Sequence, residues 1–205
     1  KNEKHNLRNG KRNFISIGRF TKRGHAKRQD FIMRAFLEAQ KKTNSNFNLF
    51  LIGSLDISSK DDLSYFKSLK EYEIENIHLF HNLKFSKLLE ILSISKIYIH
   101  AAGVEINSQK HPENLEHFGI SVIEALSFGN YPLVYNKGGP AETIKHLKVG
   151  ETFDSFESLV DTISRIMNDF SLNKYSIPID FLEPYLKVNE QTLKLLQDRI
   201  QENKS

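Results

Sequence analysis

The amino-acid sequence predicts an α/β domain in which a doubly wound parallel sheet of about six strands is covered by helices on both faces. Short runs of consecutive apolar residues, rather than alternating apolar and polar residues, indicate strands that are buried on both sides. These runs alternate along the chain with segments of helical periodicity, which is the order expected of parallel strands joined by crossover helices. Ligands of such a sheet bind beyond the carboxyl ends of the strands, so a functional site is expected there.

The predicted strands are apolar runs that stop at a glycine or at the polar residues of a turn. They are Phe14–Ile17, Asn48–Gly53, Ile77–Phe80, Lys96–His100, Tyr131–Tyr135 and a short sixth segment near Glu151–Phe153. The fourth run ends in a histidine, which places a titratable side chain at the carboxyl edge of the sheet.

Helical periodicity and helix-start signals place the helices between these strands. Two starts are marked by a serine or an aspartate that is followed three residues later by an acidic residue, as at Ser58 and Asp154. The predicted helices are Arg28–Lys42, Ser58–Glu71, a helix that Ser86 caps, Gly119–Phe128, a helix that opens at Gly138-Gly139-Pro140 with the proline in its first position, Asp154–Met167 and Val188–Gln201.

The same pattern predicts three segments. Residues 1–12 form a polar, basic tail or linker, residues 13–170 form the folded domain, and residues 171–205 form a linker and a C-terminal helix. The helix Val188–Gln201 has a sparse apolar stripe of Leu193, Leu196 and Ile200.

The composition excludes several classes of protein. The 205 residues carry a formal net charge of +4 and contain no cysteine, which excludes disulfides, thiol nucleophiles and cysteine metal ligands. No apolar run approaches the ~20 residues of a membrane-spanning helix. No apolar stretch follows the N-terminal charges as in a signal peptide, and a cytoplasmic location is expected. The basic balance fits nucleic acid, anionic lipid or a phosphorylated small ligand.

A basic loop follows the first predicted strand and lies at the mouth of the expected crevice. After Gly18, its cations are Arg19, Lys22, Arg23, Lys27 and Arg28. A diphosphate would satisfy this charge, because the next helix also offers its positive N-terminus. A solvated loop is the alternative. It is the simpler explanation for Lys22 and Arg23, whereas Arg19 and Lys27 fit both explanations equally.

Two carboxylates, Glu116 and Glu124, stand eight positions apart around the predicted start of an apolar helix. Gly119 would let an anion approach the free backbone N–H groups of that helix start. Glu124 has apolar neighbours, so its carboxylate must have a partner, and ribose hydroxyls are suitable. A structural pair with a lysine or arginine, or exposure to solvent, is the alternative.

Two further candidates are less distinctive. Glu142 follows Gly138-Gly139-Pro140, where the helix dipole alone accounts for an acid in the first turn. His100 lies at a strand end, where a single histidine is more often structural. The histidines His25, His111 and His117 show no metal-ligand spacing, and no Asp-x-Asp pair, Gly-x-Gly-x-x-Gly fingerprint or P-loop occurs. No metal site is predicted, and the absences argue against a dehydrogenase, an NTPase and a metal-dependent sugar transferase.

Taken in order, these motifs resemble a known family. Gly-Arg-Phe, Gly-His-x-Lys-Arg-Gln-Asp, Glu-His-Phe-Gly-Ile-Ser-Val-Ile-Glu-Ala and Gly-Gly-Pro-x-Glu are similar to the C-terminal domain of glycosyltransferase family 4, from about residue 13 to residue 167. The resemblance implies the Rossmann-like C-terminal half of a GT-B fold. It also implies a retaining, metal-independent transfer of a hexosyl group to a glycan or glycolipid, as in polysaccharide biosynthesis, with no cofactor besides the nucleotide sugar donor.

The resemblance also implies roles for individual residues. Arg19 and Lys27, beside Gly18, would clamp the diphosphate and act in catalysis with Glu116, which would contact sugar hydroxyls. Backbone amides from His117-Phe118-Gly119-Ile120 would bind the donor, and Glu124 would hold the ribose. The loop around Gly24-His25 is longer than in many relatives, so Arg28 stays an alternative to Lys27.

The implied partners are a UDP- or GDP-sugar and an N-terminal acceptor domain of the same parent protein, without which this chain would be inactive. The resemblance also implies that the helix Val188–Gln201 packs on that domain, and its sparse apolar stripe is consistent with such a docking face. No nucleic acid is expected, and contact with the inner membrane face is expected only through the absent half. Two other functions remain open. One is a nucleotide-binding module without catalysis, and the other is a GT-B enzyme similar to sugar-nucleotide epimerases.

Overall fold

The computed structural model describes residues 12–24, 26–106, 115–170, 174–175 and 177. Most of the predicted basic tail, the predicted helix Val188–Gln201, and the residues His25 and His111 lie outside this described part. The domain boundaries predicted at both ends of the chain are therefore still predictions.

Within the described part, the chain forms one parallel sheet of six strands in the order β3-β2-β1-β4-β5-β6. The strands are β1 (Asn13–Ile17), β2 (Asn48–Gly53), β3 (Ile77–His81), β4 (Ile97–His100), β5 (Tyr131–Tyr135) and β6 (Glu151–Phe153). All neighbouring pairs are parallel. The doubly wound α/β fold predicted from the sequence is confirmed, including the short sixth strand.

Helices connect the strands and cover both faces of the sheet. They are α1 (Gln29–Thr43), α2 (Lys60–Lys70), α3 (Phe85–Ile94), α4 (Ile120–Ser127), α5 (Gly139–Leu147) and α6 (Phe156–Asn168). One buried cluster joins α1 and α6 to the sheet and includes Phe14. The other cluster includes Ile15 and lies under α3, α4 and α5. Consecutive side chains of β1 thus pack into the two clusters on opposite faces of the sheet. Both faces of the strand are therefore apolar, and its apolar residues do not alternate with polar ones.

Four predicted details of helix starts are wrong. Ser59, not Ser58, caps α2 and accepts a hydrogen bond from the Asp62 N–H, because the Ser58 hydroxyl is bonded to Asp56 instead. Lys84 precedes α3 without a side-chain cap, so Ser86 lies inside that helix.

The other two concern the last helices. Ser155, not Asp154, caps α6, and the capping box closes through Ser158 rather than through Glu157. Pro140 is second in α5, because the helix already begins at Gly139. No helix among the described residues has both the length and the apolar character needed to cross a bilayer.

The Ser155 cap gives a stability prediction. Ser155→Ala removes the acceptor of the Ser158 N–H and is expected to lower the free energy of unfolding by about 1 kcal/mol. Ser93→Ala is the matched control, because the exposed Ser93 hydroxyl bonds only a carbonyl of its own helix. Urea denaturation of both variants checks this, and equal losses for the two serines would contradict the cap.

Candidate functional site

The site lies at the carboxyl edge of the sheet, where β1 and β4 are neighbours. From β1 the chain winds outward through β2 and β3 and then returns to β4 on the other side of β1. Open α/β sheets bind ligands at such a reversal of strand order. The loop after β1, the end of β4, the segment before α4 and the turn after β5 all meet here.

An ion pair joins two loops across this crevice. Lys27, in the loop after β1, donates from Nζ to Oε2 of Glu116, which precedes α4. The two side chains are 20% and 19% exposed. Burial by itself would raise the pKa of Glu116, but the hydrogen bond and charge of Lys27, aided by His100 and the Gly119 N–H, lower it below its ordinary value. Two predicted site residues, separated by 89 positions, are thus in direct contact.

Gly18 makes this ion pair possible. A Cβ on Gly18 would lie 2.3 Å from Cγ of Lys27, so the aliphatic part of the lysine crosses directly over this glycine. The buried side chain of Gln29 holds the loop in place by donating to the carbonyls of Gly18 and Arg19, at 2.9 and 3.1 Å. The role of Gln29 was not predicted. Gln29 belongs to the motif Gly-His-x-Lys-Arg-Gln-Asp, but nothing in that motif indicated which backbone groups its amide would bind.

The segment before α4 is held from below by the turn after β5. The Gly139 N–H donates to the Glu116 carbonyl at 3.0 Å. A Cβ on Gly139 would lie 1.7 Å from the carbonyl oxygen of His117, and one on Gly138 would lie 2.7 Å from that of Glu116. Because the partners are backbone atoms, only glycines permit this contact. The sequence predicted a tight turn here, but not that it supports the loop of Glu116.

The start of α4 presents backbone donors to the crevice. Gly119 caps the helix in the left-handed conformation, with φ of 62°. Among the described residues, the N–H groups of Ile120 and Ser121 have no backbone acceptor, as expected for a helix start that could bind an anion. The side chains of His117, Phe118 and Ile120 are exposed. Their predicted contribution through backbone groups is compatible with this arrangement.

Glu124 lies in the next turn of α4 and is half-buried. Its carboxylate makes no hydrogen bond or ion pair with any described residue, so the alternative of a structural pair with a lysine or arginine is not found there. Burial alone raises the pKa of Glu124. A half-buried acid without a partner is costly and is typical of a ligand-binding position.

His100 ends β4 directly beside the ion pair. Its side chain is 3% exposed, and its Nε2 lies 4.0 Å from Oε2 of Glu116. This Nε2 is buried and has no hydrogen-bond partner among the described residues. Burial first, and then the charge of Lys27, lower the pKa of His100 to about 4, so the ring is uncharged at neutral pH.

The remaining candidates are placed differently. Arg28 turns away from Glu116: its guanidinium donates to the Val104 carbonyl at 2.9 Å and pairs with Asp30 and with Glu105. Arg28 also lines a cavity of about 480 Å³ whose lining includes neither Lys27 nor Glu116. Between the two adjacent cations, Lys27 is the one in the crevice.

Arg19 and Glu142 are both exposed and lie at the edge of the site. Neither side chain forms an ion pair with the part of the chain that the structure describes. Glu142 falls in the first turn of α5, where the helix dipole accounts for it. Among the described residues, no group of three or more histidine or acidic side chains could hold a metal ion.

A hydroxyl pair that the sequence did not reveal links the elements of the site. The buried Tyr98 hydroxyl donates to Oγ of Ser121 at 2.8 Å and faces the Ile17 carbonyl at 3.4 Å. It joins β4 to the first turn of α4 and to the end of β1. Burial raises the pKa of Tyr98 well above its ordinary value, so this hydroxyl keeps its proton.

Residues 1–177 match the family model described as glycosyl transferases group 1. The chain belongs to this family. The match includes every strand and helix of the described domain, together with the Lys27–Glu116 pair.

Similar curated proteins include mannosyltransferases of eukaryotes. The alpha-1,3/1,6-mannosyltransferase ALG2 of Saccharomyces cerevisiae is 28% identical over 71% of this chain and 32% of its own length. The mouse GDP-Man:Man(3)GlcNAc(2)-PP-Dol alpha-1,2-mannosyltransferase is 27% identical over 75% of this chain and 31% of its own. The chain thus spans about a third of the length of these relatives.

Solved structures share the fold. The C-terminal domain of a glycosyl transferase group 1 protein, LpcC of Francisella tularensis, matches with a TM-score of 0.60 and 18% identity, over 85% of this chain and 84% of that chain. Anabaena HepE, solved with UDP and glucose, has a TM-score of 0.60 and 15% identity, over 91% and 49% of the two chains. The predicted Rossmann-like, GT-B type of domain is confirmed.

The support of the Glu116 loop can be tested through its glycines. Gly139→Ala forces a methyl group against the His117 carbonyl and is expected to lower the free energy of unfolding by roughly 1–3 kcal/mol. Gly24→Ala is the control, because a Cβ there meets nothing within 4 Å and should cost less than about 0.5 kcal/mol. Chemical denaturation measures both, and a neutral Gly139→Ala would contradict the tight backbone contact.

The cost of the unpaired acid at Glu124 gives a prediction about pH. Because burial raises its pKa, the folded state holds the proton more tightly than the unfolded state does, and stability falls as pH rises from the ordinary value of 4.5 through the folded pKa. Glu124→Gln removes this loss. The variant should therefore be more stable than wild type at neutral pH and equally stable below about pH 4. Urea denaturation at both pH values decides, and a variant that is less stable at neutral pH would contradict the unpaired acid.

Proposed function

We propose that this chain is the donor-binding, C-terminal half of a family 4 glycosyltransferase with the GT-B architecture. The full enzyme would transfer a hexosyl group from a nucleotide sugar to a glycan or glycolipid, with retention and without a metal ion. One observation carries this proposal. Lys27, His100 and Glu116 come from distant parts of the chain and meet beside the unpaired N–H groups of α4, where the strand order reverses.

Each part of the donor has a complementary group in this crevice. The diphosphate would bind to Arg19, to Lys27 and to the N–H groups at the start of α4. The unpaired carboxylate of Glu124 suits ribose hydroxyls, and Glu116 suits hydroxyls of the sugar. Negative charge that develops on the leaving diphosphate would be stabilised by the same fixed cations and amides, which is catalysis by preorganised electrostatics.

GDP-mannose is the donor that we propose. The sequence relatives at 25–30% identity are named as mannosyltransferases, and two of them are named for GDP-Man. The neighbour solved with UDP is only 15% identical and supports the fold rather than the base.

A second half would complete the active site. In this proposal an N-terminal domain of the parent protein binds the acceptor and closes over the donor, since the chain spans about a third of its relatives. The isolated chain would then bind the donor without turning it over. Any contact with the membrane face would belong to that other half.

Thermal shift with a nucleotide panel tests the donor site. GDP and GDP-mannose are expected to raise the melting temperature, because a ligand that binds only the folded state stabilises it by mass action. UDP, ADP and GMP should raise it less, since they lack the right base or the second phosphate. A protein that no nucleotide stabilises, either as this chain or with its missing half restored, would contradict the proposal.

Two arginines of the same loop give the sharper test. Arg19→Ala should weaken GDP binding by about tenfold, the value of one charge-assisted hydrogen bond. Arg23→Ala should leave binding unchanged, because Arg23 is exposed and already paired with Asp61. Isothermal titration calorimetry measures both, and equal losses would indicate only a general attraction of anions to a basic loop.

Turnover separates the enzyme from a module that only binds nucleotide. The chain joined to its N-terminal half should release GDP from GDP-mannose and glycosylate an acceptor with retained anomeric configuration in the presence of EDTA. GDP binding with no transfer in that complete protein would instead favour the non-catalytic module.

A further inference from the structure

The cation that the proposed donor site needs for a diphosphate already has an acidic partner. In this crevice the ammonium group of Lys27 is already paired with Glu116. If Lys27 binds the diphosphate of the donor, as the proposed function requires, Glu116 loses that partner. A carboxylate that is only 19% exposed would then be left with little more than the Gly119 N–H facing it. A poorly solvated charge of this kind is costly unless another donor replaces the lysine.

The replacement donor is already in place. His100 Nε2 lies 4.0 Å from the same oxygen, Oε2, that Lys27 contacts. It is buried, and within the part of the chain that the structure describes it has no hydrogen-bond partner, although buried polar atoms are almost always bonded. Because a carboxylate only accepts hydrogen bonds, the tautomer with a proton on Nε2 is the one that fits.

The surroundings fix the histidine and leave the lysine free to move. His100 belongs to β4, a strand with neighbours on both sides, and is in register with Val134 of β5. Its ring also lies nearly parallel to that of Tyr98, with the ring planes 21° apart. Lys27 reaches Glu116 through a flexible side chain from a loop. A small turn of the Glu116 side chain, once Lys27 departs, is enough to bring its oxygen to Nε2.

We infer that His100 is a positioning residue that takes over the Glu116 carboxylate from Lys27 when the donor binds. The inference rests on the proposed function, because it requires Lys27 to move to a diphosphate. The exchange keeps Glu116 ionised and aimed at the sugar while the charge of Lys27 is released for the phosphates. An uncharged imidazole is suited to this task, because it holds the carboxylate without a net charge of its own.

Two substitutions separate this role from simple packing. His100→Leu keeps a similar volume but removes the donor, and is expected to weaken GDP binding by about tenfold. His100→Gln places an amide N–H near the position of Nε2 and should keep binding within about threefold of wild type. His100→Leu should be at least as stable as wild type without ligand, because it removes a buried ring nitrogen that has no partner among the described residues.

A double-mutant cycle with Glu116 gives the decisive readout. In the background of Glu116→Gln no carboxylate needs a new partner, so adding His100→Leu should cause no further loss of GDP affinity. Calorimetry at neutral pH measures GDP binding to the four proteins of the cycle. A structural effect of His100→Leu would persist in the Glu116→Gln background and would overturn the inference.

The remaining outcomes are also decisive. If His100→Leu binds GDP as tightly as wild type, or if His100→Gln binds as weakly as His100→Leu, His100 does not replace Lys27 and the inference is wrong. If wild type itself binds neither GDP nor GDP-mannose, the proposed function fails, and the exchange fails with it. The two kinds of failure are distinguishable because only the second one involves the unmodified protein.

Discussion

The site depends on one contact between two stretches of backbone. The turn at Gly138 and Gly139 lies directly under the segment from Glu116 to Phe118, with no side chain between them. This contact fixes the backbone of Glu116, whose carboxylate pairs with Lys27 and lies beside His100. Because both surfaces are main chain, no change of rotamer can compensate if they move apart. The position of the Glu116 segment is therefore set by a backbone contact rather than by flexible side chains.

The fold was predictable because buried parallel strands have a strong signal. Runs such as Asn48–Gly53 are apolar on both faces, so the strand remains recognisable whichever side a given residue faces. The helix starts were less predictable. Ser58 and Ser59 are equally good caps by residue type, and the choice depends on which hydroxyl the turn brings to the Asp62 N–H. Side-chain periodicity contains no information about that turn.

The composition of the site could be predicted only in part. The sequence indicated Lys27, Glu116 and Glu124, but spacing alone cannot separate adjacent cations, and only the structure shows Lys27 paired with Glu116 while Arg28 pairs with Asp30 and Glu105. Gln29 was missed because an amide on a helix has no distinctive pattern. The position of His100 beside Glu116 arises from tertiary packing, which cannot be deduced from the spacing of residues along one sequence.

The ion pair between Lys27 and Glu116 also neutralises the charges of both side chains inside the crevice. Any anion that reaches the ammonium group of Lys27 has to separate it from Glu116. Such an anion binds only if its attraction for the lysine exceeds the cost of breaking the pair. A ligand with several negative charges close together meets this condition more readily than one with a single charge, so the pair favours polyanions over simple ones.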